Sequence, residues 1–339
     1  MITTEFQQAV QEAERIVMFS HVGPDGDALG SLTAMGQLLI GQGKQVTMVV
    51  DSPIAPRFSY LPLIEAVQAK LDANAIFDLI ITVDCGDELR MGKPFERLKN
   101  KPPIINIDQH ITNTNFGAIN WVEPTATSTA EMLYDLFVAL NVELTTAMAT
   151  SLLTGVVTDT LGFRTPNVTA KTLKISGALM DAGAELALIT MQTLNLQPLA
   201  TARLWQIGLD RMKFEDGLIW SAISHEERAR VGHKSDSSSG LVNFLADVDR
   251  AAMGVVLLEM DDGTVRVGFR CRPPYDVSVL AMEFGGGGHP QAAGCTMEGP
   301  LAKAEFMLVD RCKEVIAQQT LANENGRSPQ TGIRHTYEA

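Results

Sequence analysis

The sequence predicts an α/β protein, with a doubly wound parallel sheet in the first half and a smaller α/β domain near the end. Three observations lead there. Short apolar runs rich in Val and Ile alternate with amphipathic stretches through the first half. From about Trp205 the pattern becomes strand-like alternation in DGLIWSAIS, AAMGVVLLEM and TVRVGFRCR. A length of 339 residues is long for one core and favours about two domains.

In order, RIVMFS reads as a buried strand, and DALGSLTAMGQLLIGQG as a helix closed by Gly41 or Gly43. QVTMVV, FDLIITVD and PPIINID are further strands, each four to eight residues long. Ser128 with Glu131 has the capping-box spacing and opens the helix STAEMLYDLFVAL. TTAMATSLLTGVVTDT is another helix, with Met148, Leu152, Leu153, Val156 and Val157 along one face. The stretch 182–199 is purely helical and reads as a connector. The expected division is a first domain over 1–185, a helical connector over 186–204, a second domain over 205–320 and a flexible polar tail over 321–339.

A net charge of -13 argues against long duplex nucleic acid as a partner, which needs a broad basic face. It leaves room for a small anionic substrate held by metal ions and one or two arginines. Cys85, Cys271, Cys295 and Cys312 form no C-x-x-C pair and read as reduced, buried thiols. With neither a signal-peptide pattern at the N-terminus nor a run of roughly 18 apolar residues, the expectation is a cytoplasmic protein without membrane contact.

The chemistry gathers at the carboxyl ends of the expected strands, where open parallel sheets bind ligands. His21, Asp25 and Asp27 follow RIVMFS in a turn made tight by Gly and Pro, an imidazole-plus-oxygen set suited to Mn²⁺, Fe²⁺ or Zn²⁺. Asp84 ends FDLIITVD, and Asp108, Gln109 and His110 end the next strand. Asp159 lies near the end of an apolar-faced helix, where the helix dipole disfavours it. Taken one at a time these are solvated turns, caps and exposed acids. Four converging aspartates would repel one another strongly. Two divalent cations would neutralise them, make a bridging water acidic enough to act as hydroxide, and clamp a phosphoryl oxygen.

In this order the motifs resemble those of the DHH phosphoesterase family: HVGPDGDALGS, TVDCGD, DQH followed by Thr112-Asn113, and GVVTDTLGF. Downstream, FGGGGHPQAAG is similar to the signature loop of the DHHA1 domain. The resemblance implies a DHH domain followed by a DHHA1 domain, with the active site in the cleft between them. It implies two divalent metal ions, usually Mn²⁺, with Fe²⁺, Co²⁺ or Mg²⁺ as alternatives. His21, Asp25 and Asp84 would hold one ion, and Asp27, Asp84 and Asp159 the other. His110 would act beside the nucleophile, with Asp108 holding the imidazole. The subfamily it resembles most is the nanoRNase group, whose members degrade RNAs of two to five nucleotides and linear dinucleotides such as pGpG and pApA. Many also act on 3′-phosphoadenosine 5′-phosphate, and some on cyclic di-AMP. By analogy with relatives a homodimer is expected.

One departure stands out. The family's third motif is Asp-His-His, and this chain has Asp108-Gln109-His110. Gln109 offers only a neutral amide oxygen where the second metal normally receives an imidazole, so that position should bind its ion less tightly or take a different one. For recognition, Gly286, Gly287 and Gly288 before His289 let backbone approach a nucleotide and offer N–H groups to phosphate. Arg270 and Arg272 alternate around Cys271, share one strand face, and are expected on the terminal phosphate. The expected function is hydrolysis of phosphoesters in short oligonucleotides or small nucleotides. The alternative is a nucleotide sensor weakened in catalysis by Gln109.

Overall fold

The computed structural model describes residues 2–325. The chain forms two compact units, one ending at Leu196 and the other beginning at Gln197.

In the first unit α1 (Ile2–Glu12) precedes β1 (Arg15–Phe19), α2 (Gly26–Gly41) and β2 (Gln45–Val49). β3 (Leu79–Val83), the short α3 (Lys93–Arg97), β4 (Ile104–Asp108) and β5 (Ile119–Val122) follow. α4 (Thr129–Ala139), α5 (Thr146–Asp159), α6 (Ala170–Asp181) and α7 (Leu186–Thr190) complete it, α7 running into a π-turn over Met191–Asn195. The five strands are all parallel in the order β2-β1-β3-β4-β5. Alternate residues serve opposite faces. Ile16, Met18, Ile81, Val83, Ile105 and Ile107 join the core that includes α2, α4 and α5, while Val17, Phe19 and Ile80 pack with Phe95 of α3 on the other face. The expected parallel α/β sheet is present. β5, with four half-buried residues, is too short to show in the sequence pattern.

α2 and α5 approach closely because Gly155 lacks a side chain. A Cβ there would strike the Ala130 methyl and Asp27 Oδ1. This approach brings the first turn of α2 beside α5. Ser128 caps α4 by accepting from Glu131 N at 3.1 Å, but the expected capping box is only half made. The Glu131 carboxylate instead accepts from Thr127 and from Thr172 at 3.0 Å and pairs with Lys171 at 3.2 Å. Burial explains the switch, since a buried carboxylate needs strong partners on all sides.

The second unit begins with α8 (Leu199–Asp210), β6 (Lys213–Glu215), β7 (Leu218–Ile223), α9 (His225–Val231) and α10 (Leu241–Ala246). It continues with β8 (Met253–Glu259), β9 (Thr264–Cys271), α11 (Ser278–Glu283), β10 (Gly287–His289), β11 (Ala292–Glu298) and α12 (Leu301–Asn325). Its sheet runs β10-β11-β9-β8-β7-β6, with β7 and β8 parallel and the other neighbours antiparallel. The three strands expected from alternation are β7, β8 and β9. The stretch read as a connector is shared out: Ile189 belongs to the first core and Leu204 to a core of the second unit. The expected tail also starts later. Residues 321–325 are the last turns of α12, which Val315 and Ile316 anchor in the core, and the rest of that stretch lies outside the described residues. All four cysteines are free and buried. Among the described residues no helix is long and apolar enough to cross a membrane.

Candidate active site

Adjacent strands β1, β3 and β4 deliver their C-terminal residues to one place, where the chain reverses direction across the sheet between β1 and β3. Doubly wound sheets open a crevice at such a switch point. His21 and Asp25 follow β1, Asp84 follows β3, and Asp108, Gln109 and His110 end and follow β4.

His21 Nδ1 donates to the Val22 carbonyl at 2.9 Å, which leaves Nε2 facing the acids. Nε2 lies 3.4 Å from Asp84 Oδ2 and 3.9 Å from Asp25 Oδ1. Asp25 also caps α2, accepting from the amides of Asp27 and Ala28 at 3.0 Å each. The ligand atoms of His21, Asp25 and Asp84 lie within 4.8 Å of one another. One imidazole nitrogen with two carboxylate oxygens is a donor set that fits a divalent cation. To ligate a cation through Nε2, His21 would have to give up the proton that this environment favours. Burial opposes protonation of His21, yet hydrogen bonds to Asp25 and Asp84 raise its pKa to about 10. Against its own desolvation, Asp25 is held below the usual carboxylate range by His21 and the amides of Ala28 and Asp27.

Asp84 adopts a left-handed φ of 55°, a conformation that costs about 1–3 kcal/mol for a residue with a side chain. Its amide donates to the Ile107 carbonyl at 3.0 Å and Thr129 Oγ1 donates to its Oδ1 at 3.2 Å, so both ends are tied. In this conformation the carboxylate meets Thr129, His21 and His110. Asp87, beyond it, caps the following turn through Leu89 N.

The other half of the cluster is arranged differently. Asp27 is fully buried and its carboxylate sits on the N-terminus of α4, accepting from Thr129 N at 2.7 Å and Ala130 N at 2.9 Å. Ser31 adds a longer bond of 3.3 Å. Burial, then the charges of Asp84 and Asp159, push Asp27 well above the usual carboxylate range. The same causes, burial and then the Asp84 and Asp25 charges, raise Asp159 to about 7. Gln109 turns its amide nitrogen, not its oxygen, toward this group: Nε2 donates to Asp159 Oδ2 at 3.2 Å. Asp27, Asp84 and Asp159 therefore neighbour one another electrostatically, but their ligand atoms do not converge as those of His21, Asp25 and Asp84 do.

Asp84, Asp108 and His110 also bring ligand atoms together, but hydrogen bonds account for that cluster. His110 Nδ1 donates to Asp108 Oδ1 at 2.7 Å and lies 3.6 Å from Asp84 Oδ1. The Asp108 bond, against burial and with help from Asp84, raises the His110 pKa. Asp108 is itself fixed, since Asn113 Nδ2 donates to its other oxygen at 2.6 Å and to Asn106 Oδ1 at 2.8 Å. Asn106 in turn donates to Thr82 Oγ1 and the Cys85 carbonyl. With Nδ1 committed, His110 has Nε2 free for proton transfer or hydrogen bonding.

In the second unit, a cavity of about 400 Å³ is lined by Arg266, Gly268, Arg270, Gly285, Gly286 and Gly294, among others. Two expectations are corrected here. Arg272 does not share the cavity with Arg270, because β9 ends at Cys271 and the Arg272 guanidinium bonds the carbonyls of Val248 and Ala251. The residue that shares the Arg270 face is Arg266, four positions earlier, and the same two-residue periodicity would have found it. The glycine run also offers fewer free amides than expected. Gly287–His289 is a strand paired with β11, and Gly286 packs so tightly on it that a Cβ would strike the Gly294 carbonyl. The amides of Gly285 and Gly286 already donate to Met282 and Ala281, so neither is open to phosphate. Gly287, Gly288 and His289 are exposed.

Comparison with known proteins identifies the family. The DHH family N-terminal domain matches residues 15–156, and the DHHA1 domain matches residues 227–318. The bifunctional oligoribonuclease and PAP phosphatase NrnA of Thermus thermophilus is 34% identical over 285 residues, 84% of each chain. The chain belongs to the DHH family. It is a hydrolase. NrnA of Bacillus subtilis is 28% identical over 92% of this DHH protein and 99% of its own length. Among solved structures, an exopolyphosphatase-related protein from Bacteroides fragilis shares the fold, with a TM-score of 0.84, 22% identity, and coverage of 95% and 97% of the two chains.

Two residues with clear contacts had no assigned role in the sequence reading. Thr129, in the first turn of α4, holds Asp84 with its hydroxyl and Asp27 with its amide. Asn113 stands in the third motif, but only the fold shows it gripping Asp108. The one available signal was for Asn113, which follows Asp108 closely in a short polar segment.

Proposed function

We propose that this enzyme hydrolyses phosphoester bonds in short nucleotides at a divalent-metal centre built on His21, Asp25 and Asp84. The substrates would be oligoribonucleotides of two to five nucleotides and linear dinucleotides such as pGpG and pApA, with 3′-phosphoadenosine 5′-phosphate and cyclic di-AMP as further candidates. The observation that carries the reading is the convergence of those three ligand atoms beside the Asp108–His110 pair at the switch point of the sheet. The match to two NrnA proteins, over nearly the full length of one, supports the substrate class.

Bound divalent cations supply Lewis acidity toward water and toward the phosphoryl group. Manganese suits the mixed imidazole and carboxylate donors. Asp84 has one oxygen near His21 and the other near Thr129 and His110, which fits a ligand between two metal positions. Asp27 and Asp159 are the proposed remainder of the second position. There Gln109 must release Asp159 and turn its amide oxygen inward before it can contribute. His110, oriented by Asp108, is the proposed group for moving a proton or meeting charge that develops on the phosphate. Arg270, with Gly286, Gly287, Gly288 and His289, is the proposed recognition surface for the far end of the nucleotide, Arg266 being the better partner than Arg272. Four reduced, buried thiols fit a cytoplasmic setting.

The test is an assay of metal-stripped full-length protein with pGpG, pApA, 3′-phosphoadenosine 5′-phosphate and cyclic di-AMP, with Mn²⁺ added back. Release of nucleoside monophosphates, or of phosphate from the bisphosphate, is expected. Binding of these compounds without turnover at any Mn²⁺ concentration would replace this reading with a nucleotide sensor.

A further inference from the structure

Behind His110 lies a chain of polar side chains drawn from β3, β4 and the loop after β4. Thr82, Asn106 and Asp108 are fully buried, and Asn113 is half-buried. Backbone groups fix both amides of this chain in one orientation. Asn106 Nδ2 donates to Thr82 Oγ1 at 2.8 Å and to the Cys85 carbonyl at 2.9 Å. A carbonyl can only accept, so Asn106 must turn its own Oδ1 toward Asn113. At Asn113 the Asn115 amide decides, because it can only donate, and it reaches Asn113 Oδ1 at 2.7 Å. The Asn113 Nδ2 is thereby committed to Asp108 Oδ2 at 2.6 Å and to Asn106 Oδ1 at 2.8 Å.

This bears directly on His110. With Oδ2 gripped by Asn113, Asp108 offers Oδ1 to His110 Nδ1 at 2.7 Å. A second carboxylate competes for the same ring nitrogen, since Asp84 Oδ1 lies 3.6 Å from it. Without Asn113 the Asp108 carboxylate could rotate and loosen its hold. The imidazole could then turn to Asp84, drawing that oxygen away from the proposed metal centre. A group that must meet a reacting atom works only when its aim is fixed beforehand.

We propose that Asn113 is a positioning residue, which acts through Asp108 to hold the His110 ring by Nδ1 and leave Nε2 for the reacting group. Its effect on rate rests on the proposed hydrolysis. Its effect on the ring rests on the hydrogen bonds alone.

The test is a double-mutant cycle between Asn113 and His110, read as kcat and KM for pApA with full-length Mn²⁺-loaded protein. Asn113→Ser keeps an oxygen for the Asn115 amide, as serine turns do, but lacks the amide nitrogen that reaches Asp108. Alone it should lower kcat about tenfold, with KM within about twofold. In the His110→Ala background it should change kcat by less than about twofold, because the ring it orients is gone. Equal losses in both backgrounds, or no loss in the first, overturn the proposal. A second readout needs no turnover. Nitrogen-15 histidine NMR of the metal-free protein should show a slowly exchanging Nδ1–H on His110, assigned by its absence in His110→Ala. Asn113→Ser should lose that signal while still unfolding cooperatively on heating. A signal retained in Asn113→Ser overturns the proposal, and so does its absence from wild type, whatever the variants do. If wild type hydrolyses none of the nucleotides, the proposed function fails, and the spectra still decide whether Asn113 orients His110.

Discussion

The two sides of the acidic centre carry similar residues but are held in different ways. On one side, His21, Asp25 and Asp84 point their ligand atoms at a common position, and the contact between His21 and Asp25 raises the pKa of the imidazole and lowers that of the carboxyl. On the other, Asp27 is bound by the N-terminus of α4 and Asp159 by the amide of Gln109. Asp25 and Asp84 also accept hydrogen bonds, but the ligand atoms of the first side converge, whereas the acids of the second are turned to separate partners. A motif therefore identifies which acids assemble, and their hydrogen-bond partners determine how ready they are for a cation. Replacing one imidazole by an amide leaves the cluster in place but turns a donor N–H toward Asp159 where a ligand atom would be expected.

That contrast can be broken most severely at Asp84, which belongs to both sides. Asp84→Asn should lower the hydrolysis rate on the order of 10³-fold; initial rates with pApA check this, and retention of a tenth of the activity would remove Asp84 from the centre. His110→Ala should cost about 10²-fold in kcat with little change in the Mn²⁺ requirement, because the imidazole acts on proton movement. A matching rise in the Mn²⁺ requirement would instead make His110 a ligand. Gln109→His should reduce the Mn²⁺ concentration for half-maximal rate by about tenfold, and an unchanged requirement would show that the second side is not limited by Gln109.

Metal removal gives a pH signature. Asp159 stays protonated in the fold up to about 7 but ionises near 3.8 when unfolded, so stability falls as pH rises across that window. His21 keeps its proton to about 10 against an ordinary 6.5, and its contribution, full below 6.5, is lost as pH rises toward 10. Metal-stripped protein should thus melt on the order of 5 °C lower at pH 9 than at pH 6. Mn²⁺ should widen its stabilising effect over the same range; a flat or rising metal-free melting temperature contradicts these charges. The smallest effect is expected from Thr129→Val, which removes the hydroxyl donor to Asp84 but leaves the amide on Asp27. About 1 kcal/mol of stability should be lost, read by denaturant unfolding of the metal-free protein, with a few-fold drop in rate.

Much of the fold was legible because buried parallel strands are short, continuous and apolar. RIVMFS, QVTMVV, FDLIITVD and PPIINID all correspond to strands. β5 was missed because an edge strand with half-buried residues has no such run. The capping box failed in its reciprocal half because Thr127, Thr172 and Lys171, which come from outside the box or from another helix, attract Glu131 more strongly than its own cap does. Arg272 was misplaced because alternation holds only while the strand continues, and β9 stops one residue earlier.

By itself the sequence determined the residue types of the centre, their place at strand ends, the parallel α/β class and the family resemblance. These follow from local chemistry and from periodicity, which a linear chain displays openly. Only the tertiary structure decided which strand ends became neighbours, that α4 would grip Asp27, and that Gln109 would present nitrogen to Asp159. Sheet order and the tight approach of α2 to α5 are set by long-range packing. A side chain's hydrogen-bond partner depends on residues far away in sequence, as the bond from Thr129 to Asp84 shows.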